Sequence, residues 1–91
     1  MVAAFVLITA EPRRIASLAQ ELADVPGVAE VYSTAGDADI VAVVRVRQHE
    51  ELAEVVTGRL ATLDGIEGTR TLVAFQAYSR HDLETMWSLG G

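Results

Sequence analysis

A chain of 91 residues amounts to one domain, and at that length folding hides only about 60 to 65% of the surface an unfolded chain exposes, so a lone copy is marginal and gains from a partner. Seven Arg stand against thirteen Asp and Glu with no basic run interleaved with aromatics, which argues against direct nucleic-acid contact. The absence of Cys removes disulfides, thiolate nucleophiles and sulfur-ligated metals from consideration.

The opening apolar run, about seven residues, is too short to span a bilayer and lacks the positive flank of a signal peptide, so a cytosolic setting without membrane contact is expected. Val2 to Ile8 predicts a buried strand, closed by the Thr-Ala-Glu-Pro punctuation. Pro12 suits the first turn of a helix, where its missing N–H is no loss, and Ile15, Leu18, Ala19 and Leu22 then repeat at helical spacing as far as Asp24. The alternation from Val28 to Ser33 predicts a second strand, with "TAGD" as its exit turn. A third strand is expected from about Ala38 to Arg47. A second helix follows from about His49 to Leu63, its buried stripe being Leu52, Val55, Val56, Leu60 and Leu63. After "LDGIEGT", read as a turn, comes a fourth strand from Thr71 to Ala77, and the tail "YSRHDLETMWSLGG" predicts one or two further helical turns. The organisation is thus a single domain over 1–91, with a core of 2–77 and a tail of 78–91.

An internal repeat supports this reading. A displacement of 38 positions lays Val6 on Val44, Leu18 on Val56, Leu22 on Leu60, Gly27 on Gly65 and Val28 on Ile66. Two βαβ units joined by a hairpin make the ferredoxin-like α+β arrangement βαββαβ, a four-stranded antiparallel sheet with both helices on one face. Two helices cover one side only, yet Phe5 to Ile8 and Ile40 to Val44 are apolar on both sides, where a solvated face would alternate. The uncovered side calls for a second copy, sheet against sheet. About 400 Å² of apolar surface buried per subunit gives a gross gain on the order of 10 kcal/mol before association costs.

Asp37 and Asp39, two apart at the mouth of the third strand, can share a side and hold an ammonium group or a divalent cation. A cation is the poorer fit, since no His or third carboxylate lies close by. The alternative is a plain turn, with Gly36 supplying positive φ and Asp37 capping it; Asp39 escapes that explanation because it stands inside an apolar strand. Thr69 and Thr71 repeat the two-apart pattern at the expected start of strand four, where hydroxyls and free N–H groups can bond a carboxylate, against the simple alternative of strand propensity. In the expected ferredoxin-like topology strands three and four run in opposite directions, so that a pocket using both starts must join two subunits. His49 opens a helix as an ordinary exposed polar residue. His81 beside Asp82, with Tyr78 and Trp87, is a weak acid–base candidate, and Arg13 and Arg14 could grip an anion or simply line a solvated face.

The segments "LADVPGVAEVYSTAGDADIVAVVRV" and "LATLDGIEGTRTLVAF" resemble the regulation-of-amino-acid-metabolism domain, the effector-binding half of Lrp/AsnC transcriptional regulators. The likeness covers about residues 3 to 77. It implies sheet-to-sheet dimers of the dimeric α+β barrel kind, assembled into octamers or related rings that bind a free amino acid between dimers, with no cofactor, no metal and no catalytic residue. Gly36, Asp37 and Asp39 would then shape the pocket and receive the α-ammonium group, while Thr69, Arg70, Thr71 and Leu72 would contribute from the facing dimer by hydroxyl, backbone and apolar contact. Two departures stand out. Full-length members carry an N-terminal helix-turn-helix, whereas Met1 leads straight into strand one, so the chain is not expected to be a complete repressor. Ala38 occupies a place where an aromatic is common, which makes the pocket roomier or the site weaker, the latter in keeping with a ligand-free scaffold.

The reading that follows is a stand-alone amino-acid sensing and oligomerisation module acting in transcriptional regulation, on its own or co-assembled with full-length regulators of the family. Two others compete: a small dimeric α+β barrel enzyme of monooxygenase or isomerase type, for which the barrel-facing residues are too uniformly aliphatic, and a ligand-free assembly scaffold.

Overall fold

A computed structural model describes residues 1–80. Strand β1 (Val2–Ala10) leads through a 3₁₀ turn (Pro12–Arg14) into helix α1 (Ile15–Ala23), and strand β2 (Val28–Ser33) follows. A hairpin returns the chain as β3 (Ile40–Val46). Helix α2 (His49–Ala53) then runs on through a π turn (Glu54–Arg59) and a 3₁₀ turn (Leu60–Thr62), and β4 (Ile66–Val73) completes the sheet. The strand order is β2-β3-β1-β4 with every neighbouring pair antiparallel, the expected ferredoxin-like βαββαβ fold. The predicted tail helix lies outside the described residues.

Strand alternation sorts the sheet into two faces. Ala4, Val6 and Ile8 pair with Val44, Ala42 and Ile40, and all are fully buried beneath the helices. Leu18 and Leu22 of α1, Leu52 of α2, and Val55 and Leu60 of its irregular continuation close this core. The other face carries Phe5 and Leu7 beside Val43 and Val41 in the ladder, with Leu72 opposite Phe5. Phe5, Leu72 and Tyr32 keep about half of their surface in solvent, and Phe75, just beyond β4, is fully exposed. Among the described residues, then, nothing roofs this face.

The repeat is visible in the backbone. Gly27 and Gly65 share φ +98°, and each precedes the first residue of a strand, Val28 or Ile66. Each turn is held by the opposite half of the chain. The Gly27 carbonyl accepts from Arg45 N–H (2.9 Å) and the Gly65 carbonyl from Glu11 N–H (2.8 Å). One residue earlier, the Pro26 carbonyl accepts from Arg59 Nη1 (2.8 Å) and the Asp64 carbonyl from Arg14 Nη2 (3.0 Å). Arg14 also donates to Ser17 Oγ (2.5 Å) and pairs with Glu21 (2.6 Å), so it is a structural tie rather than a free anion grip.

Two sequence expectations need correction. Strand β4 begins at Ile66, not Thr71. "LDGIEGT" looks like a turn because it holds two glycines, but only Gly65 takes the turn conformation; Gly68 pairs with Thr9 inside the ladder, where the register slips between Thr9 and Ala10. The relative direction of β3 and β4 is also opposite to the one expected. Both are antiparallel to β1, so they run parallel to each other and start at the same end of the sheet, where Ile8 pairs with Ile40 on one side and Thr69 on the other.

Candidate functional site

That shared end creates a concavity. The last turns of the β1 ladder form its floor through Leu7 and Thr9, the β2–β3 hairpin supplies Asp37 and Ala38 on one side, and β4 supplies Gly68, Thr69 and Arg70 on the other, enclosing about 280 Å³. Leu7, Thr9, Gly68 and Arg70 belong to the open face of the sheet. Thr69 stands opposite buried Ile8 and so directs its side chain to the helix side, bordering this concavity with its backbone. The acidic hairpin and the β4 segment therefore meet within one chain, and two subunits are not required to bring them together.

The hairpin is a built loop. Gly36 takes φ +121° with no atom within 4 Å of where a Cβ would sit. Thr34 N–H donates to the Asp39 carbonyl (2.9 Å) and Thr34 Oγ1 to the Ala38 carbonyl (2.8 Å). Asp39 N–H donates to the Ile8 carbonyl (2.9 Å), and the Asp39 carboxylate accepts from Ala10 N–H through Oδ2 (2.9 Å). Asp39 thus clamps the hairpin to the end of β1 on both its backbone and its side chain, which accounts for an acid beside an apolar strand.

The candidate residues divide accordingly. Asp37, Thr69 and Arg70 line the cavity; Gly36 shapes the loop behind it; Asp39 is half-buried and holds the loop to β1. Thr71 stands opposite Val6 on the helix side, and Leu72 lies opposite Phe5 on the open face, 52% exposed. Neither Asp37 nor Arg70 forms a hydrogen bond or ion pair through its side chain among the described residues, where the salt bridges are Arg13–Glu11, Arg14–Glu21 and Arg45–Glu30. The cavity is consequently lined by one unpaired anion and one unpaired cation. Sequence reasoning passed over Leu7, Thr9 and Gly68. Thr9 offered a signal, being a polar residue at an open-face position of an otherwise apolar strand.

On the far rim of the open face, Tyr32 Oη donates to Glu30, and Arg45 Nη1 pairs with Glu30 Oε1 at 3.1 Å. The Tyr32 hydrogen bond, and after it the Arg45 guanidinium, hold the Glu30 carboxyl below its ordinary value, while Glu30 raises the Tyr32 phenol. Among the described residues no group of three His, Cys, Asp or Glu could hold a metal ion, and no helix is long and apolar enough to cross a membrane. The acid–base candidate His81, with Asp82 and Trp87, lies outside the described residues.

Residues 3–83 match the Lrp/AsnC ligand binding domain. The chain is 32% identical over 75 residues to the HTH-type transcriptional regulator FL11 of Pyrococcus furiosus, an alignment spanning 82% of this chain and 49% of that protein. It spans about half the length of the curated relatives it matches. TTHA0845 from Thermus thermophilus superposes with a TM-score of 0.82 at 49% identity, covering 88% of this chain and all of that one. The feast or famine regulatory protein of M. tuberculosis, complexed with L-methionine, superposes with a TM-score of 0.73 at 28% identity over 88% of this chain and 54% of that one. Fold, motif order and these likenesses agree, and the chain belongs to the Lrp/AsnC ligand binding domain family.

Proposed function

We propose that the chain is a non-enzymatic effector-binding and oligomerisation module that senses a free amino acid and acts in transcriptional regulation through partner regulators. The observation carrying this reading is the pair of unpartnered opposite charges, Asp37 and Arg70, on one cavity of about 280 Å³. An α-amino acid is a zwitterion. Its ammonium group suits the Asp37 carboxylate, its carboxylate suits the Arg70 guanidinium and nearby Thr9 hydroxyl, and its side chain finds Leu7 and the space left by Ala38 and Gly68. The cavity is smaller than the roughly 300 to 1,000 Å³ of drug-sized sites, in keeping with a small metabolite. The L-methionine bound by the feast or famine regulatory protein is of this chemical class.

The open sheet face supports the second half of the proposal. Phe5, Leu7, Val41 and Leu72 form an apolar surface around the already buried Val43, and a second copy of the chain covers it, giving a dimer that assembles further into a ring. Since Arg70 and Leu72 belong to the same strand and face, dimerisation borders the cavity and effector binding couples to assembly.

A thermal-shift screen against the twenty amino acids tests the ligand claim. A ligand at one hundred times its Kd stabilises by about 2.7 kcal/mol, and Asp37→Asn or Arg70→Gln abolishes the response. A flat screen at millimolar concentration in the parent chain refutes sensing and favours the scaffold. Sedimentation equilibrium at micromolar concentration tests assembly; a well-folded monomer refutes it.

A further inference from the structure

β4 has a second concavity on its other face. Beneath the irregular half of the second helix, about 230 Å³ is bounded by Val56 of the π turn, Leu63 and Ile66, with Glu67 and Thr69 on the strand side. The β4 register explains why two polar groups meet there. Thr9 pairs with Gly68 and Ala10 with Ile66, so Glu67 is an extra residue in a bulge, and bulges re-aim side chains. Glu67 lines this cavity together with Thr69, whose side chain takes the helix face opposite Ile8. Among the described residues the Glu67 carboxylate makes no hydrogen bond or ion pair. Among the described residues no cationic side chain lines the cavity, so a carboxylate-bearing ligand meets no counter-charge from them.

We infer that this cavity binds a compact aliphatic primary amine. The Glu67 carboxylate pairs with its ammonium group, Thr69 Oγ1 accepts a further ammonium hydrogen, and Val56, Leu63 and Ile66 cover the hydrocarbon chain. The volume, about 230 Å³, lies below that of drug-sized sites and suits a small ligand. The site is independent of the amino-acid reading, since Asp37 and Arg70 take no part in it. Gly68 and Thr69 form the wall between the two cavities, so an occupant of one bears on the backbone that borders the other.

The test is a ¹H–¹⁵N correlation titration of the full chain with isopentylamine, using isopentyl alcohol as the uncharged control. Saturable shifts are expected at Val56, Leu63, Glu67 and Thr69. Affinity should fall about three- to fivefold in Glu67→Gln, the range for a solvent-exposed ion pair, and stay unchanged in Asp37→Asn. Equal binding of the alcohol, undiminished binding to Glu67→Gln, shifts confined to the Asp37 hairpin, or no saturation at about 10 mM would each overturn the proposal. Glu67 is exposed, so Glu67→Gln should leave the unliganded spectrum intact. If that spectrum changes, Thr69→Val, which removes only the hydroxyl, decides in its place: equal affinity overturns the site and a loss supports it. Failure here leaves the screen with Asp37→Asn standing on its own outcome.

Discussion

Replacing Asp39 with Ala separates a structural anchor from a ligand group. The Asp39 carboxylate accepts from Ala10 N–H at 2.9 Å, and Ala10 is 2% exposed, so the variant leaves this donor without its protein partner. A hydrogen bond to a charged acceptor contributes about 1.5 to 3 kcal/mol, and a buried unsatisfied donor costs a similar amount by the same accounting, so the expected loss is about 2 to 3 kcal/mol. For a domain of this size that lowers Tm by about 10 to 20 °C. Asp39→Asn keeps an oxygen acceptor in place and should lose about 1 kcal/mol. Urea unfolding followed by circular dichroism, with all variants at one protein concentration because self-association raises apparent stability, measures both changes. The reasoning is refuted if Asp39→Ala unfolds within about 0.5 kcal/mol of the parent chain. It is refuted equally if the variant loses an amino-acid response while its unliganded stability is intact, for Asp39 would then be a ligand contact rather than a clamp.

Gly27→Ala combines a positive φ with a methyl group 2.6 Å from Val55 Cγ2, costing about 2 to 5 kcal/mol, whereas Gly36→Ala, with open space around it, pays only the backbone part, about 1 to 2 kcal/mol; equal costs in a denaturation series would disprove the packing argument. Carboxyl NMR should find the Glu30 pKa below 4.5 and Tyr32→Phe should return it toward that value more than an Arg45 substitution does, because the Tyr32 hydrogen bond is the larger cause. Since Glu30 is lowered, its contribution holds above 4.5 and fades as pH falls through the folded value; since Tyr32 is raised, its contribution holds below 10.0 and fades as pH climbs through the folded value. Phe5→Asp places a charge in the middle of the open face and should convert the proposed dimer to monomer in sedimentation equilibrium; an unchanged mass means that another surface joins the copies.

The sheet and its two faces could be read from the chain because alternation and helical spacing report burial directly: β2 spans Val28 to Ser33 as expected, and Leu18, Leu22, Leu52, Val55 and Leu60 are the helical core. The irregular second half of helix two was invisible, since Val55, Val56 and Leu60 suit an α-helix and a π turn nearly alike. Glycine misled at Gly68, where a residue that usually breaks strands sits within one. The candidate site was half legible as a place in the fold. Asp37 and Arg70 line the cavity with a charge that their residue types already announce, but Asp39 has the same type as Asp37 and a different task, and only the long-range contact with Ala10, 29 residues away, tells them apart. Strand direction, fixed by topology rather than by any local pattern, decided whether one chain or two would form the concavity.

The crossed arginines have a consequence for how the molecule can be divided. Arg14 in the first half steadies the carbonyl before Gly65, and Arg59 in the second steadies the carbonyl before Gly27, so neither repeat supplies the brace for its own bend. Chains severed between Ala35 and Gly36 should be poorly ordered apart and regain structure on mixing, a fragment complementation that two self-contained repeats would not need.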